Sequence, residues 1–248
     1  MKLTVIGCSG SVPGPDSPAS SYLVSADGFH LVLDLGSGAL GALQRALDVP
    51  EIGAIGLSHL HPDHCMDLCG LYVALKYSPA APFPRIPVYG PPGTAARMAS
   101  AYDLPFDPGM EEELEFHAWL GVQTIGPFTV RTAKMVHPVP AYAIRVEHGS
   151  KSLVYTGDTG PTDALVELAR GADLLLSEAA LQDDDQRNPP DLHLTPADAG
   201  AQAKRAGVKH LVITHVPPWF DRDTQTDHAR RTFPGQVSTA TPGAVFEV

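Results

Sequence analysis

The decapeptide SHLHPDHCMD, residues 58–67, places three histidines and two aspartates within nine positions. Imidazole and carboxylate are the usual ligands of zinc and related divalent metals. A solvated polar loop, or a helix start with Asp63 near its cap, would account for part of this composition. Neither accounts for His59, His61 and His64 together. Four more residues lie at positions where a chain gathers chemistry: His137 opens HPVPAYAIRV, Asp158 centres TGDTG, His193 lies in DLHLTPADAG, and His215 ends the apolar run LVIT. A catalytic zinc takes three protein ligands and a water. Seven convergent ligands are too many for one such ion and suit two metals that share a carboxylate and a water. His30, His117, His148, His210 and His228 show no pattern of this kind and read as surface or satisfied core residues.

The elements that must position these groups follow from hydrophobic period and breakers. Strands are expected at 2–6, 21–25, 30–35, 53–57, 86–89, 128–136, 141–147, 152–156, 173–177, 210–214 and 244–247. Helices are expected at 38–47, 66–77, 93–102, 162–169 and 196–206. The histidine cluster therefore falls at a strand-to-helix turn, and His137, Asp158 and His215 fall at strand ends, where sheet proteins gather catalytic groups. Strands alternate with helices in both halves, which favours mixed sheets covered by helices. No linker divides the chain, so one domain over 1–248 is expected; YSPAAPFPRIP (77–87) is short enough to be a connection. A faint echo relates LVLDLGSGALGAL (31–43) to LVYTGDTGPTDAL (153–165), and AIGLSH (54–59) to LVITH (211–215). It suggests two half-units meeting at one site.

Composition sets bounds. The 248 residues carry a formal net charge of −11, whereas proteins that grip long nucleic acid by its phosphates usually present a broad basic surface. Three cysteines, Cys8, Cys65 and Cys69, make no disulfide framework, and Cys65 and Cys69, four apart, are expected to pack in a helix core. VIGC (5–8) superficially resembles a lipoprotein cleavage box, but the apolar run before it is far shorter than a signal segment of roughly 7–15 residues. No stretch reaches the roughly 18 apolar residues of a membrane helix. A cytoplasmic protein with no membrane partner is expected.

The hexapeptide HLHPDH (59–64), an H-x-H-x-D-H pattern followed by a spaced His, Asp and His, resembles the metallo-β-lactamase fold superfamily over essentially the whole chain. The resemblance implies an α/β fold, a four-layer αββα sandwich with two mixed sheets. Carried over by position, it would give the first metal His59, His61 and His137, and the second Asp63, His64 and His215, with Asp158 bridging them. Asp34, in LVLDLG, matches the family's early aspartate, which supports the ligand loop from behind. The implied cofactors are two Zn2+ per chain, with Mn2+ or Fe2+ as substitutes.

Within the superfamily, Glu stands at the His61 position in flavodiiron members, degenerate scaffolds lose ligands, and lactamases are secreted. The order and spacing here look most like the phosphodiesterase branch that includes ribonuclease Z. SEAA (177–180) is similar to that family's HEAT motif, keeping Glu178 but with Ser177 in place of the His, and HLT (193–195) is similar to its HST motif. The resemblance makes His193 the proton donor to the leaving oxygen and Glu178 the residue that orients it. Asp63 would also orient a metal-bridging hydroxide. Two departures argue against precursor-tRNA cleavage: no basic arm is present, and the loop SVPGPDSPASSYL (11–23) lacks the family's Lys, Arg and Asn. The compact chain more closely resembles small phosphodiesterases, some of which hydrolyse cyclic nucleotides. Trp219 and Phe220, in HVPPWF (215–220), could stack a base or could simply pack their loop. The expected substrate is a small phosphodiester, a cyclic nucleotide or short RNA, and the expected assembly is a homodimer. Three alternatives stand beside it: a ribonuclease Z-type tRNA 3′-end endoribonuclease, a thioester or lactone hydrolase, which would need no proton donor, and a non-enzymatic metal-dependent partner or RNA scaffold, which would not need an intact ligand set.

Overall fold

The computed structural model describes residues 1–183 and 185–248. Its strands form two seven-stranded sheets. The first contains β1 (Lys2–Gly7), β2 (Ser21–Ala26), β3 (Phe29–Leu33), β4 (Ala54–Gly56), β5 (Ile86–Gly90), β6 (Leu114–Ala118) and, from the far end of the chain, β14 (Val245–Glu247). The second contains β7 (Val122–Ile125), β8 (Phe128–Lys134), β9 (Tyr142–His148), β10 (Lys151–Tyr155), β11 (Leu174–Glu178), β12 (His210–Thr214) and β13 (Gln236–Thr239). Helices α1 (Ala39–Leu43), α2 (Pro62–Cys65), α3 (Leu68–Tyr77) and α4 (Thr94–Ala101) cover the first sheet. Helices α5 (Asp163–Ala169), α6 (Pro196–Ala206) and α7 (Arg222–Arg230) cover the second. The result is a four-layer αββα sandwich.

Alternation along the strands builds three apolar layers from one set of sequences. Leu31 and Leu33 of β3, Leu153 and Tyr155 of β10, and Leu174 and Leu176 of β11 meet between the sheets. Val32 faces the helices on the first sheet, and Val154 and Leu175 face those on the second. Central strands buried on both faces must be apolar throughout, which is why they read as continuous runs. Full burial of each such side chain contributes about 1.5–3 kcal/mol.

The two sheets share one pairing pattern. In the order β14-β1-β2-β3-β4-β5-β6 the first three pairings are antiparallel and the last three parallel. The order β7-β8-β9-β10-β11-β12-β13 repeats this step for step. Asp34 after β3 and Asp158 after β10 are therefore equivalent, as the echo suggested. Its other half is corrected: β4, which precedes His59, corresponds to β11, and β12, which precedes His215, corresponds to β5. The two apolar strands ending in a hydroxyl residue and a histidine look alike because both are buried, not because they hold the same place.

Other boundaries differ for local reasons. The expected helix 38–47 is helical over 39–43 only and continues as turns, and β3 stops at Leu33 because Asp34 takes a left-handed φ of 56°. The strands β6, β7 and β13 and the helix α7 lie outside the expected elements. α7 is the instructive case, since its buried residues are Gln225, Thr226 and Ala229, which leave no apolar stripe to read. All three cysteines are free, with Cys65 buried on α2 and Cys69 half-buried on α3.

Candidate metal centre

The histidine cluster sits where β4 ends. Its chain carries its own turn of helix, α2, with His61 at the N-cap and Pro62 at the first position, where proline's fixed φ and missing N–H cost nothing. That turn buries Asp63 and His64. The strand-end loop after β3 passes so close behind it that a Cβ on Gly36 would lie 1.9 Å from the Asp63 carbonyl oxygen. His215 leaves β12 with φ 53°, and Gly10 packs on it where a Cβ would fall 2.2 Å from its carbonyl oxygen. Left-handed non-glycine residues store strain and cluster where a side chain must be aimed; Asp34 and His215 are two of them.

The structure brings the seven candidate ligands into two groups that share Asp158. In one, His59, His61 and His137 converge with Asp158: His59 Nε2 and His137 Nε2 lie 3.0 and 3.2 Å from His61 Nδ1. In the other, His64 Nε2 lies 3.3 Å from both Asp63 Oδ2 and Asp158 Oδ1, and His215 Nε2 lies 3.4 Å from Asp158 Oδ2.

Proton accounting shows that these atoms fit cations. His137 Nδ1 lies 2.9 Å from the Leu192 carbonyl oxygen, an acceptor only, so it carries the hydrogen and Nε2 presents a lone pair. Ser58 Oγ donates to Asp34 and therefore accepts from His59 Nδ1 at 3.1 Å, which again leaves a lone pair on Nε2. Both lone pairs face His61 Nδ1, which can donate to one of them at most, whereas a cation would satisfy all three. Among the described residues, Asp158 Oδ1, His64 Nε2 and His215 Nε2 are buried without a hydrogen-bond partner, which is costly unless another ligand completes them.

The charges point the same way. Burial, reinforced by the neighbouring imidazoles, holds His59 and His61 below the ordinary imidazole range, and burial does the same to His215. Burial would also lower His64, but Asp158 and Asp34 outweigh it and hold that ring protonated well above the usual range. Burial would raise Asp158, yet His215, His64 and His59 hold it well below the usual carboxylate range. A cation would take the place of the His64 proton.

Asp34 ties the two groups together from behind. Its Oδ1 accepts from the Ser58 amide at 2.6 Å, and its Oδ2 accepts from Ser58 Oγ, His64 Nδ1 and Tyr155 Oη, each at 2.7 Å. Tyr22 crosses the other way, from the first sheet to Thr214 beside His215, at 2.7 Å, and the two tyrosine rings pack with centroids 4.9 Å apart. Such outer partners fix imidazole tautomer and orientation. Replacing Asp34 with Asn would turn an amide N–H₂ toward donors. Asp34→Asn is expected to weaken metal binding by about 10–100-fold, measured by competition with a chromogenic chelator; unchanged affinity would leave Asp34 a turn residue.

His193 and Glu178 meet beside the shared aspartate. His193 Nδ1 lies 2.9 Å from Glu178 Oε1 and 3.7 Å from Asp158 Oδ2. Glu178 is fully buried at the end of β11 and also accepts the Thr159 amide at 2.7 Å. Burial would lower His193, but Glu178, with Asp158 behind it, reverses this and lifts it to about 9. With Nδ1 given to Glu178, Nε2 is the nitrogen left to deliver a proton. Ser177 is buried and donates to the Glu178 carbonyl at 3.0 Å.

Trp219 and Phe220 lie apart from this set. Trp219 is 62% exposed, and Phe220 packs against the core under the second sheet's helices and lines a cleft of ≈ 310 Å³ with Pro218 and Arg222. Among the described residues their rings contact each other and no imidazole of the site. His30, His117, His148, His210 and His228 find partners elsewhere, in Ser25, Glu115, Asp27, Ser238 and Asp183. The sequence reading passed over Ser20, Ser58, Tyr155 and the Leu192 carbonyl. Of these only Ser58, adjacent to His59, carried a signal; Ser20 reaches His215 Nδ1 at 2.9 Å across 195 residues.

Residues 31–216 match the family model described as a beta-lactamase superfamily domain. An uncharacterized protein of Mycobacterium tuberculosis is 42% identical over 255 residues, covering 100% of this chain and 92% of that one. The probable metallo-hydrolase YhfI of Bacillus subtilis is 32% identical over 249 residues, covering 100% of both. Its crystal structure is similar with a TM-score of 0.88 and 31% identity, over 99% of each chain. Ribonuclease Z of Mycobacterium bovis is 34% identical over 254 residues, covering 88% of this chain and 86% of that one.

Proposed function

The chain belongs to the beta-lactamase superfamily as a ribonuclease Z-like metallo-hydrolase, and from that premise we propose that it is a dinuclear zinc phosphodiesterase acting on small nucleotides, a cyclic nucleotide or a short RNA, as one domain over 1–248 in the cytoplasm. The observation that carries this reading is the His193–Glu178 pair, 2.9 Å apart and beside the aspartate that both ligand groups share. A thioester, whose thiolate leaves without help, would need no such proton donor.

His59, His61, His137 and Asp158 would hold one ion, and Asp63, His64, His215 and Asp158 the other. When bound, two such ions supply an activated water and neutralise charge on the phosphate oxygens. The protein's own groups do the rest. Asp63, whose Oδ2 lies 3.3 Å from His64 Nε2, would accept a hydrogen bond from the attacking water and aim its lone pair. His193 Nε2 gives its proton to the departing ribose oxygen, which leaves poorly as an alkoxide. Glu178 keeps the imidazole turned and charged for that transfer.

The acidic net charge of −11 supports a substrate with few phosphates. A second reading, tRNA 3′-end cleavage, draws on the identity with ribonuclease Z. The two separate under salt, because an enzyme that neutralises many phosphates loses about 10³–10⁵ in affinity between 50 and 200 mM. The zinc-loaded protein is expected to hydrolyse cyclic nucleotides with kcat/KM nearly independent of salt over that range. Efficient cleavage of precursor tRNA with cyclic nucleotides untouched would reverse the assignment. No helix among the described residues is long and apolar enough to cross a membrane.

A further inference from the structure

Gln225 lies on α7, 32 residues after His193 and 10 after His215, and is 2% exposed. Its Nε2 donates to the Leu181 carbonyl at 2.9 Å and to the Ala179 carbonyl at 3.3 Å. These carbonyls belong to the segment that leaves β11 directly after Glu178 and returns as His193. At its base the segment is pinned across by the Leu181 amide donating to the Leu194 carbonyl at 3.2 Å. A second latch stands one helical turn on: His228 Nδ1 lies 3.0 Å from Asp183 Oδ2, and Asp183 Oδ1 accepts from the Ala197 amide at 3.1 Å.

A buried amide that meets two backbone carbonyls outside any ladder has a cost to justify. Packing alone would favour Leu or Met at this position, and α7 has no apolar face of its own. We infer that Gln225 is a positioning residue for the proton donor: by holding both carbonyls on the Glu178 side of the loop, it fixes the His193 imidazole against Glu178. The path is Gln225 to Leu181, Leu181 to Leu194, and Leu194 to its neighbour His193. The inference rests on the reading of His193 as general acid.

The test is a double-mutant cycle on the zinc-loaded enzyme, with a nucleotide phosphodiester and bis-(nitrophenyl) phosphate as the two substrates. Gln225→Met keeps the length and removes the donor. Gln225→Glu keeps the shape and sets a carboxylate against two carbonyl oxygens. Each is expected to lower kcat/KM for the nucleotide by about 10–10²-fold, the scale of a misplaced catalytic group, with the nitrophenyl ester spared and zinc content unchanged. In a His193→Ala background the same change is expected to cost the nucleotide nothing further, since contacts acting through one group are not additive. Equal losses on both substrates, or losses that add to those of His193→Ala, would overturn the positioning role and leave Gln225 a structural residue. If His193→Ala alone shows no difference between the substrates, the general-acid reading fails instead, and with it the premise. Should Gln225→Met not fold, Gln225→Glu carries the same comparison.

Discussion

His193→Ala is expected to lower kcat/KM for a nucleotide phosphodiester by about 10²–10⁴-fold while comparatively sparing bis-(nitrophenyl) phosphate. A nitrophenolate leaves without a proton and a ribose alkoxide does not, so only the nucleotide registers the loss of a donor. Zinc content should not change, because His193 Nδ1 is held by Glu178 at 2.9 Å and the two ligand groups are complete without it. Glu178→Gln should give a weaker form of the same pattern. It keeps an acceptor near Nδ1 but removes the charge that lifts His193 to about 9. Equal losses on both substrates would assign His193 to binding, and loss of zinc would assign it to coordination.

Asp158→Ala is expected to weaken both ions together and to reduce hydrolysis of every phosphodiester, activated or not, by at least about 10²-fold, since metal ions stabilise such transition states by several kcal/mol. The carboxylate belongs to both ligand groups, is fully buried, and balances imidazoles from each: His59 at 3.6 Å, His64 at 3.3 Å and His215 at 3.4 Å. Elemental analysis after gel filtration should approach two equivalents for the parent and fall well below that for the variant, whereas His61→Ala should weaken one ion first. A variant that loses one ion and holds the other as tightly as the parent would place Asp158 in a single coordination shell. A parent that never takes up more than one equivalent under zinc supplementation would remove the dinuclear reading itself.

The strands that carry the sheets were legible because burial on both faces forces an uninterrupted apolar run, as in LVL before Asp34 and LLLSE ending at Glu178. Strand β6, with Glu115 and His117 partly exposed, and the edge strand β7, VQTI, lack that signature. Helix α7 turns Gln225 and Thr226 inward, so its period is written in hydrogen bonds that composition does not reveal. The ligand residues stood out through their types, and their convergence is geometric: seven side chains from strand ends and one turn of helix. Their supports did not stand out. Ser20, Ser58 and Tyr155 are common residue types whose meaning appears only when the chain brings position 155 to 34, or 20 to 215. The same holds for the likeness of AIGLSH to LVITH. Two buried strands with similar endings were matched by spelling, and only the pairing order showed that they occupy different places in their sheets.

The chain ends lie side by side. The Val248 amide donates to the Met1 carbonyl at 2.8 Å, and the Met1 amino group reaches the Val248 carbonyl at 3.3 Å. Strand β14 thus completes the first sheet from the far end of the sequence. If the chain is thought of as a ring, a cut before β14 and another between β6 and β7 divide it into two arcs of seven strands, each one whole sheet with its own helices. One arc contains His59, His61, Asp63 and His64, and the other His137, Asp158 and His215. Neither arc holds a complete set for either ion. The metals would then do for the two arcs what a covalent linker does for two halves of a split protein, and their uptake would report reassembly as directly as it reports chemistry.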